Sequence, residues 1–154
     1  MNTKTIFITK NPTKDVYASL IDIAIKYCDK FQLILRTDLG VKASSYNVLI
    51  NRLQSSFIMK KEESEWASTA LEESDKAEVY YYTADENAKQ VLKSFSNSLY
   101  NWQHPNLLED LSFFKDDKEW LVTVSHEEIC EIYPTSSVEI EELKNLNGLK
   151  FKFK

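Results

Sequence analysis

Between residues 3 and 10 apolar and polar positions alternate, with Ile6 and Ile8 on one side and Phe7 on the other, which predicts a first β-strand. Asn11-Pro12 then offers a helix start, Asn as N-cap and Pro at the first helical position. Val16, Leu20, Ile23, Ala24, Tyr27 and Phe31 follow at spacings of three and four, one apolar face of a helix ending near Lys30. Residues 31–36 return to alternation and are bounded by the turn Asp38-Leu39-Gly40, so they read as a second strand. From Ser45 as cap, Tyr46, Leu49, Ile50, Leu53 and Phe57 predict a second helix to about Met59.

Residues 60–77 are acidic, and up to Lys76 they carry only Trp66, Ala67, Ala70 and Leu71 to bury, so they read as a solvated connector within a single domain spanning 1–154. Residues 78–83 have strand propensity, and Asp85 caps a third helix with Ala88, Val91, Leu92, Phe95, Leu99 and Trp102 on its core face, ended by His104-Pro105. Beyond a turn at 106–111, strands at 112–114 and 119–125 flank Lys115-Asp116-Asp117-Lys118 as a β-hairpin. A strand at 129–133 follows, closed by Pro134. Ser136 with Glu139 then forms a capping box for a last short helix that stops at Asn147-Gly148. The tail 149–154 alternates apolar residues with lysine, as an edge strand guarded by charge does. This order predicts an α+β fold: a mixed or mostly antiparallel sheet, about four helices packed against it, and a C-terminal β-hairpin or meander.

The chain has 154 residues, 43% hydrophobic and 12% aromatic, enough to fill one core. Its only glycines are Gly40 and Gly148, which excludes the phosphate loops that need several, and no cofactor is expected. Cys28 and Cys130 lack CxxC spacing and read as free, buried thiols. No apolar run approaches the roughly 20 residues that cross a bilayer, and the N-terminus lacks a signal-like apolar segment, so a cytoplasmic protein without membrane contact is expected.

Charge divides the chain. Residues 1–61 carry ten Lys and Arg against four Asp, net +6, whereas residues 62–154 carry nine Lys against twenty acids, net −11. Such a distribution favours an acidic face that repels nucleic acid and attracts a basic protein. Glu62, Glu63, Glu65, Glu72, Glu73, Asp116, Asp117, Glu127 and Glu128, with Trp66 as an aromatic anchor, are the candidate contacts. The expected function is non-enzymatic protein binding, of the kind an immunity or inhibitor protein uses to neutralise a basic toxin.

Two alternatives rest on other residues. His126 beside Glu127, with Glu109 and with Tyr80 or Tyr82, would line a pocket for a small ligand or a reaction. Ser125 and His126, adjacent in an extended segment, would point to opposite faces and form no local dyad, and no second histidine stands at a zinc spacing, so no metal is expected. The acidic pairs Glu109-Asp110, Asp116-Asp117, Glu127-Glu128 and Glu141-Glu142 read as solvated turns and helix ends. The other alternative is a homo-oligomeric subunit joined through an exposed sheet edge such as the C-terminal tail.

Overall fold

The structure, a computed structural model, describes residues 4–154, so Thr3 of the first predicted strand lies outside the described residues. Among the described residues ten strands and four α-helices follow one another as β1 (Ile6–Ile8), α1 (Asp15–Tyr27), β2 (Lys30–Leu35), α2 (Asn47–Arg52), β3 (Phe57–Glu63), β4 (Glu65–Trp66), β5 (Thr69–Ala70), β6 (Ala77–Thr83), α3 (Glu86–Phe95), β7 (Glu109–Lys115), β8 (Lys118–Val124), β9 (Ile129–Ile132), α4 (Ser137–Lys144) and β10 (Phe151–Phe153). Eight strands make one sheet in the order β10-β1-β9-β8-β7-β2-β6-β3, every neighbouring pair antiparallel, and β4 and β5 form a separate two-stranded ribbon. The fold is α+β, with four helices packed against a large antiparallel sheet.

One face of the sheet carries the main core. Phe31 and Leu33 of β2 stand opposite Tyr82 and Tyr80 of β6, and Phe113 and Leu121 continue the layer toward Ile132 and Ile6. Against this layer α1 buries Tyr17, Leu20, Ile21 and Ala24, a stripe turned by about one residue from the predicted one, with Val16, Ile23 and Tyr27 left at its margin. The turn follows from Tyr17, whose hydroxyl donates to the Leu92 carbonyl at 2.6 Å and accepts from Trp102 Nε1 at 2.9 Å. A wholly buried tyrosine needs such partners, and they lock α1 onto α3 and the segment after it.

The opposite face is covered only in part, by residues 64–76, under which Ile34, Trp66, Ala77 and Val79 form a small second cluster. Residues 60–77 are mostly exposed, but they do more than connect: they hold the end of β3, which pairs along β6, and the β4–β5 ribbon. Trp66 explains the difference. It is too large to leave in water and finds both an apolar bed and a hydrogen-bond acceptor.

The second helix is shorter than its periodicity predicts, ending at Arg52. Leu49 and Leu53 satisfy the helical spacing and are buried, but Phe57 is a strand residue at the exposed margin of the core, lying against Tyr82 and Tyr80 at ring-centroid distances of 5.9 and 6.3 Å. Pairing six residues of β3 with β6, around an irregularity between Phe57 and Met59, satisfies more backbone than one further helical turn would. The third helix starts as predicted, Asp85 accepting from the Ala88 N–H at 2.9 Å, a cap worth about 1 kcal/mol. It stops at Phe95 rather than at His104-Pro105, because Ser96 turns extended and Asn97 and Ser98 bond back to Lys14 and Thr13. That same bridge engages Asn11, which does not cap α1: its side chain donates to Ser98 Oγ at 2.8 Å, and Lys14 precedes the helix at φ 54°. Likewise no side chain caps α2.

The C-terminal half follows its sequence signals closely. Asp116 and Asp117 take the two positive-φ positions of the β7–β8 turn, at 50° and 64°. Ser136 Oγ accepts from the Glu139 N–H at 3.2 Å, but the Glu139 carboxylate bonds the Thr135 N–H rather than that of Ser136, so the capping box is offset by one residue. Gly148 takes φ 91° after α4, and β10 closes the sheet edge beside β1, Lys154 pairing with Glu131 at 2.7 Å. Cys28 and Cys130 are free and buried, and burial raises both thiol pKa values. Among the described residues no helix is long and apolar enough to cross a membrane.

Candidate functional site

Where the covering segment 64–76 ends and the β7–β8 hairpin begins, the second face of the sheet is left as an open hollow of about 490 Å³. Strand alternation builds its floor: Lys30 and Gln32 of β2, Tyr81 of β6 and Phe114 of β7 all point to this side, as the pairings of Gln32 with Tyr81 and Ser112 require. Glu63 and Glu65 rise on one wall with Trp66 and Ala67, and Asp117 and Glu119 on the other.

Trp66 is held from two sides. Its indole N–H donates at 3.0 Å to Asp110, a carboxylate buried to 1% exposure, and the Arg36 guanidinium lies 5.5 Å from its ring centroid. Arg36 in turn is fixed by Asp38 and Glu109, at 2.7 and 3.0 Å, and these bonds raise its pKa and keep it charged. Burial raises the Asp110 pKa, opposed by the hydrogen bonds from the Ser125 N–H and from Trp66. The wall of the hollow is thus pinned by an ion cluster beneath it.

Lys30 is the one cation among the lining residues, against four carboxylates, so the lining carries a net charge of −3. Its ammonium donates to Asp117 at 2.6 Å and sits 5.9 and 5.8 Å from the Tyr81 and Phe114 ring centroids. Tyr81 donates its hydroxyl to Glu63 at 3.2 Å, and burial, then the Glu63 charge, push its pKa up to about 12. Burial alone raises the Glu119 pKa. Among the described residues neither Glu65 nor Glu119 has an ion-pair partner. No three of the carboxylates come together as metal ligands.

The structure therefore divides the acidic residues singled out from the sequence. Glu63, Glu65, Trp66 and Asp117 share the hollow, with Asp116 exposed beside it at the hairpin tip. Glu62 stands on the other face of β3 opposite Glu78, and Glu72 and Glu73 are exposed on the covering segment. Glu127 and Glu128 lie on a 3-10 turn after β8, at a different place. Lys30, Gln32, Tyr81, Phe114 and Glu119 were not anticipated. The one signal in the sequence that could have found them is Gln32, a polar residue inside the apolar run 31–35 of β2.

The residues proposed for a pocket around His126 are likewise separated. His126 is exposed and lines a second hollow, about 470 Å³, with Asn11, Asn97, Asn101, Gln103 and Glu128. Glu109 is bound instead to Arg36, and Tyr80 and Tyr82 stack on each other in the main core with centroids 6.3 Å apart. Ser125 is buried, its N–H bonded to Asp110.

Fold and site together define an α+β protein with a hollow on the open face of its sheet, lined by four carboxylates and one lysine. Comparison with protein-family models, with curated proteins and with solved structures finds no match to this chain.

Proposed function

We propose that this protein is a non-catalytic binding module that captures a cationic segment of another protein in the hollow on its open sheet face. The observation that carries this reading is the charge imbalance of the lining, one lysine against four carboxylates, over a floor of aromatic rings. Lys30 itself illustrates the chemistry: an ammonium rests near the Tyr81 and Phe114 rings while a carboxylate holds it from the side. Glu65 and Glu119, which line the hollow without an ion-pair partner among the described residues, are the carboxylates left for a lysine or arginine from a partner. In a partly desolvated hollow such charge pairs steer association and fix orientation more than they add affinity. An inhibitor that covers the cationic cleft of a basic toxin, as an immunity protein does, fits this surface.

The test combines capture with a designed surface. Immobilised wild-type protein and the triple variant Glu63→Lys/Glu65→Lys/Glu119→Lys are exposed to lysate from the source cell, at low salt and at ~0.15 M salt. A basic protein retained by the wild type, weakened by salt and lost by an equally stable variant supports the reading. Retention of the same proteins by both forms, or of no basic protein by the wild type, overturns it.

A further inference from the structure

The eight-stranded sheet is open, and among the described residues its two end strands, β10 and β3, each pair on one side only. A free edge offers a row of backbone donors and acceptors to any strand that aligns with it, and charge decides which strand that is. The two edges differ in this respect. Along β10 and its flanks the charges are Lys150, Lys152 and Lys154, all of one sign, so a second copy laid antiparallel on it sets lysine against lysine. β3 instead carries Lys60-Lys61-Glu62-Glu63, two cations followed by two anions.

The register of β3 fixes how a second copy lies on it. The ladder with β6 is irregular between Phe57 and Met59 and regular from Met59 to Glu63, an uninterrupted edge centred on Lys61. Within it Lys60 and Glu62 share the face of Tyr80 and Glu78, while Met59, Lys61 and Glu63 share that of Val79 and Tyr81. Two identical antiparallel strands of one sheet are related by a twofold axis perpendicular to it, which keeps each face to itself. Full overlap about Lys61 therefore sets Lys60 opposite the second copy's Glu62, and Glu62 opposite its Lys60. On the other face Lys61 meets its own copy, with the second copy's Glu63 at the diagonal position that a long side chain reaches. Inside the chain Glu62 stands directly opposite Glu78, a like-charge pair that weakens the ladder, and Lys60 reaches Glu78 at 3.3 Å. A second lysine across the edge completes an alternating row of charge. Ile58 and Met59, 44% and 42% exposed at the end of the same strand, lose part of that exposure when the edge is covered.

We infer that β3 is a homodimer interface, two copies pairing antiparallel about Lys61 to make one continuous sheet. The inference does not rest on the capture of a cationic partner. Because the axis is perpendicular to the sheet, both hollows open on the same side of the dimer. So short an edge buries little area, and the dimer dissociates on dilution.

Analytical ultracentrifugation of the full chain from ~10 μM to ~1 mM tests the inference, with circular dichroism to establish that each variant is folded. The wild type is expected to dimerise within this range. Lys60→Glu and Glu62→Lys each turn two attractions into two repulsions and should raise the dissociation constant at least about tenfold. The double variant Lys60→Glu/Glu62→Lys restores opposite charges and should return it to within about threefold of the wild type. Lys61→Cys reads the register without touching those pairs. Mild oxidation should link it to its own copy, since directly opposite Cβ atoms lie about 5 Å apart, whereas Met59→Cys, about 13 Å from its copy in this register, should not link. Cys28 and Cys130 are buried and do not compete. Should a charge variant fail to fold, the cysteine pair decides. A wild type that stays monomeric at ~1 mM overturns the inference, as do single variants that dimerise like the wild type. A double variant as weak as the singles, or linkage at position 59 rather than 61, also overturns it.

Discussion

Glu139 offers the sharpest test of how the C-terminal half is held together. It lies on the first turn of α4 with its side chain 1% exposed, yet its carboxylate is surrounded by donors: Trp120 Nε1 at 2.6 Å, the Thr135 N–H at 2.9 Å, the Thr135 hydroxyl at 2.7 Å and the Lys115 ammonium at 2.5 Å. Burial by itself raises the pKa, but these hydrogen bonds, led by that of Lys115, outweigh it and take the carboxyl from 4.5 to about 2. Because the folded value lies below the unfolded one, the contribution is complete above the unfolded pKa and is lost as pH falls toward the folded one. A shift of that size is worth about 3 kcal/mol near pH 6 and under about 1 kcal/mol near pH 2.5. Glu139→Gln keeps the shape but removes the charge and turns an N–H2 group toward donors, so it is expected to cost about 3 kcal/mol at neutral pH. Urea unfolding of both proteins across this pH range isolates the residue, because every other carboxyl is common to the pair. The stability gap should shrink steadily on acidification. A gap that stays constant with pH, or a variant as stable as the wild type at neutral pH, would refute the reasoning.

Further expectations concern the backbone and the buried carboxylate under the hollow. Gly148→Ala places a Cβ 2.8 Å from Val16 Cγ2 at φ 91° and should cost about 1–3 kcal/mol, whereas Gly40→Ala, at φ 79° with open space around it, should cost about 1 kcal/mol; thermal unfolding of the two variants separates strain from collision. Asp110 has a raised pKa, so its contribution is greatest in acid and is lost as pH rises through the folded value. Asp110→Asn, which also suits the residue's φ of 54°, should therefore gain stability relative to the wild type as pH rises toward neutrality, and a difference that falls with pH in urea titrations would exclude this account.

Much of the fold was legible because its signals are local. The β7–β8 turn needed two residues tolerant of positive φ, and Asp116-Asp117 stands there. Asp85 and Ser136 mark helix starts through bonds that span only three residues. The lysine-guarded tail reads as an edge strand and is one, since alternation and charge are properties of the strand itself. Where the reading went astray, the deciding partner was far away in sequence. Phe57 fits a helical stripe as well as a strand, and only β6, some twenty residues on, selects the strand. Asn11 has the chemistry of a cap but is bound by Ser98 and the Tyr100 N–H.

The site shows the same division. From the sequence came the acidic excess after residue 61, the aromatic anchor Trp66 and the expectation of a basic partner. That Glu63, Glu65 and Asp117 converge while Glu62, Glu72, Glu127 and Glu128 do not was decided by strand order, because β2 threads between β6 and β7 and brings Lys30 and Gln32 beneath walls drawn from distant segments. Composition and periodicity set which residues are buried and which charges are carried, for these depend on neighbours along the chain. Which charges share a hollow depends on pairings across it, and those exist only once the eight strands have taken their order.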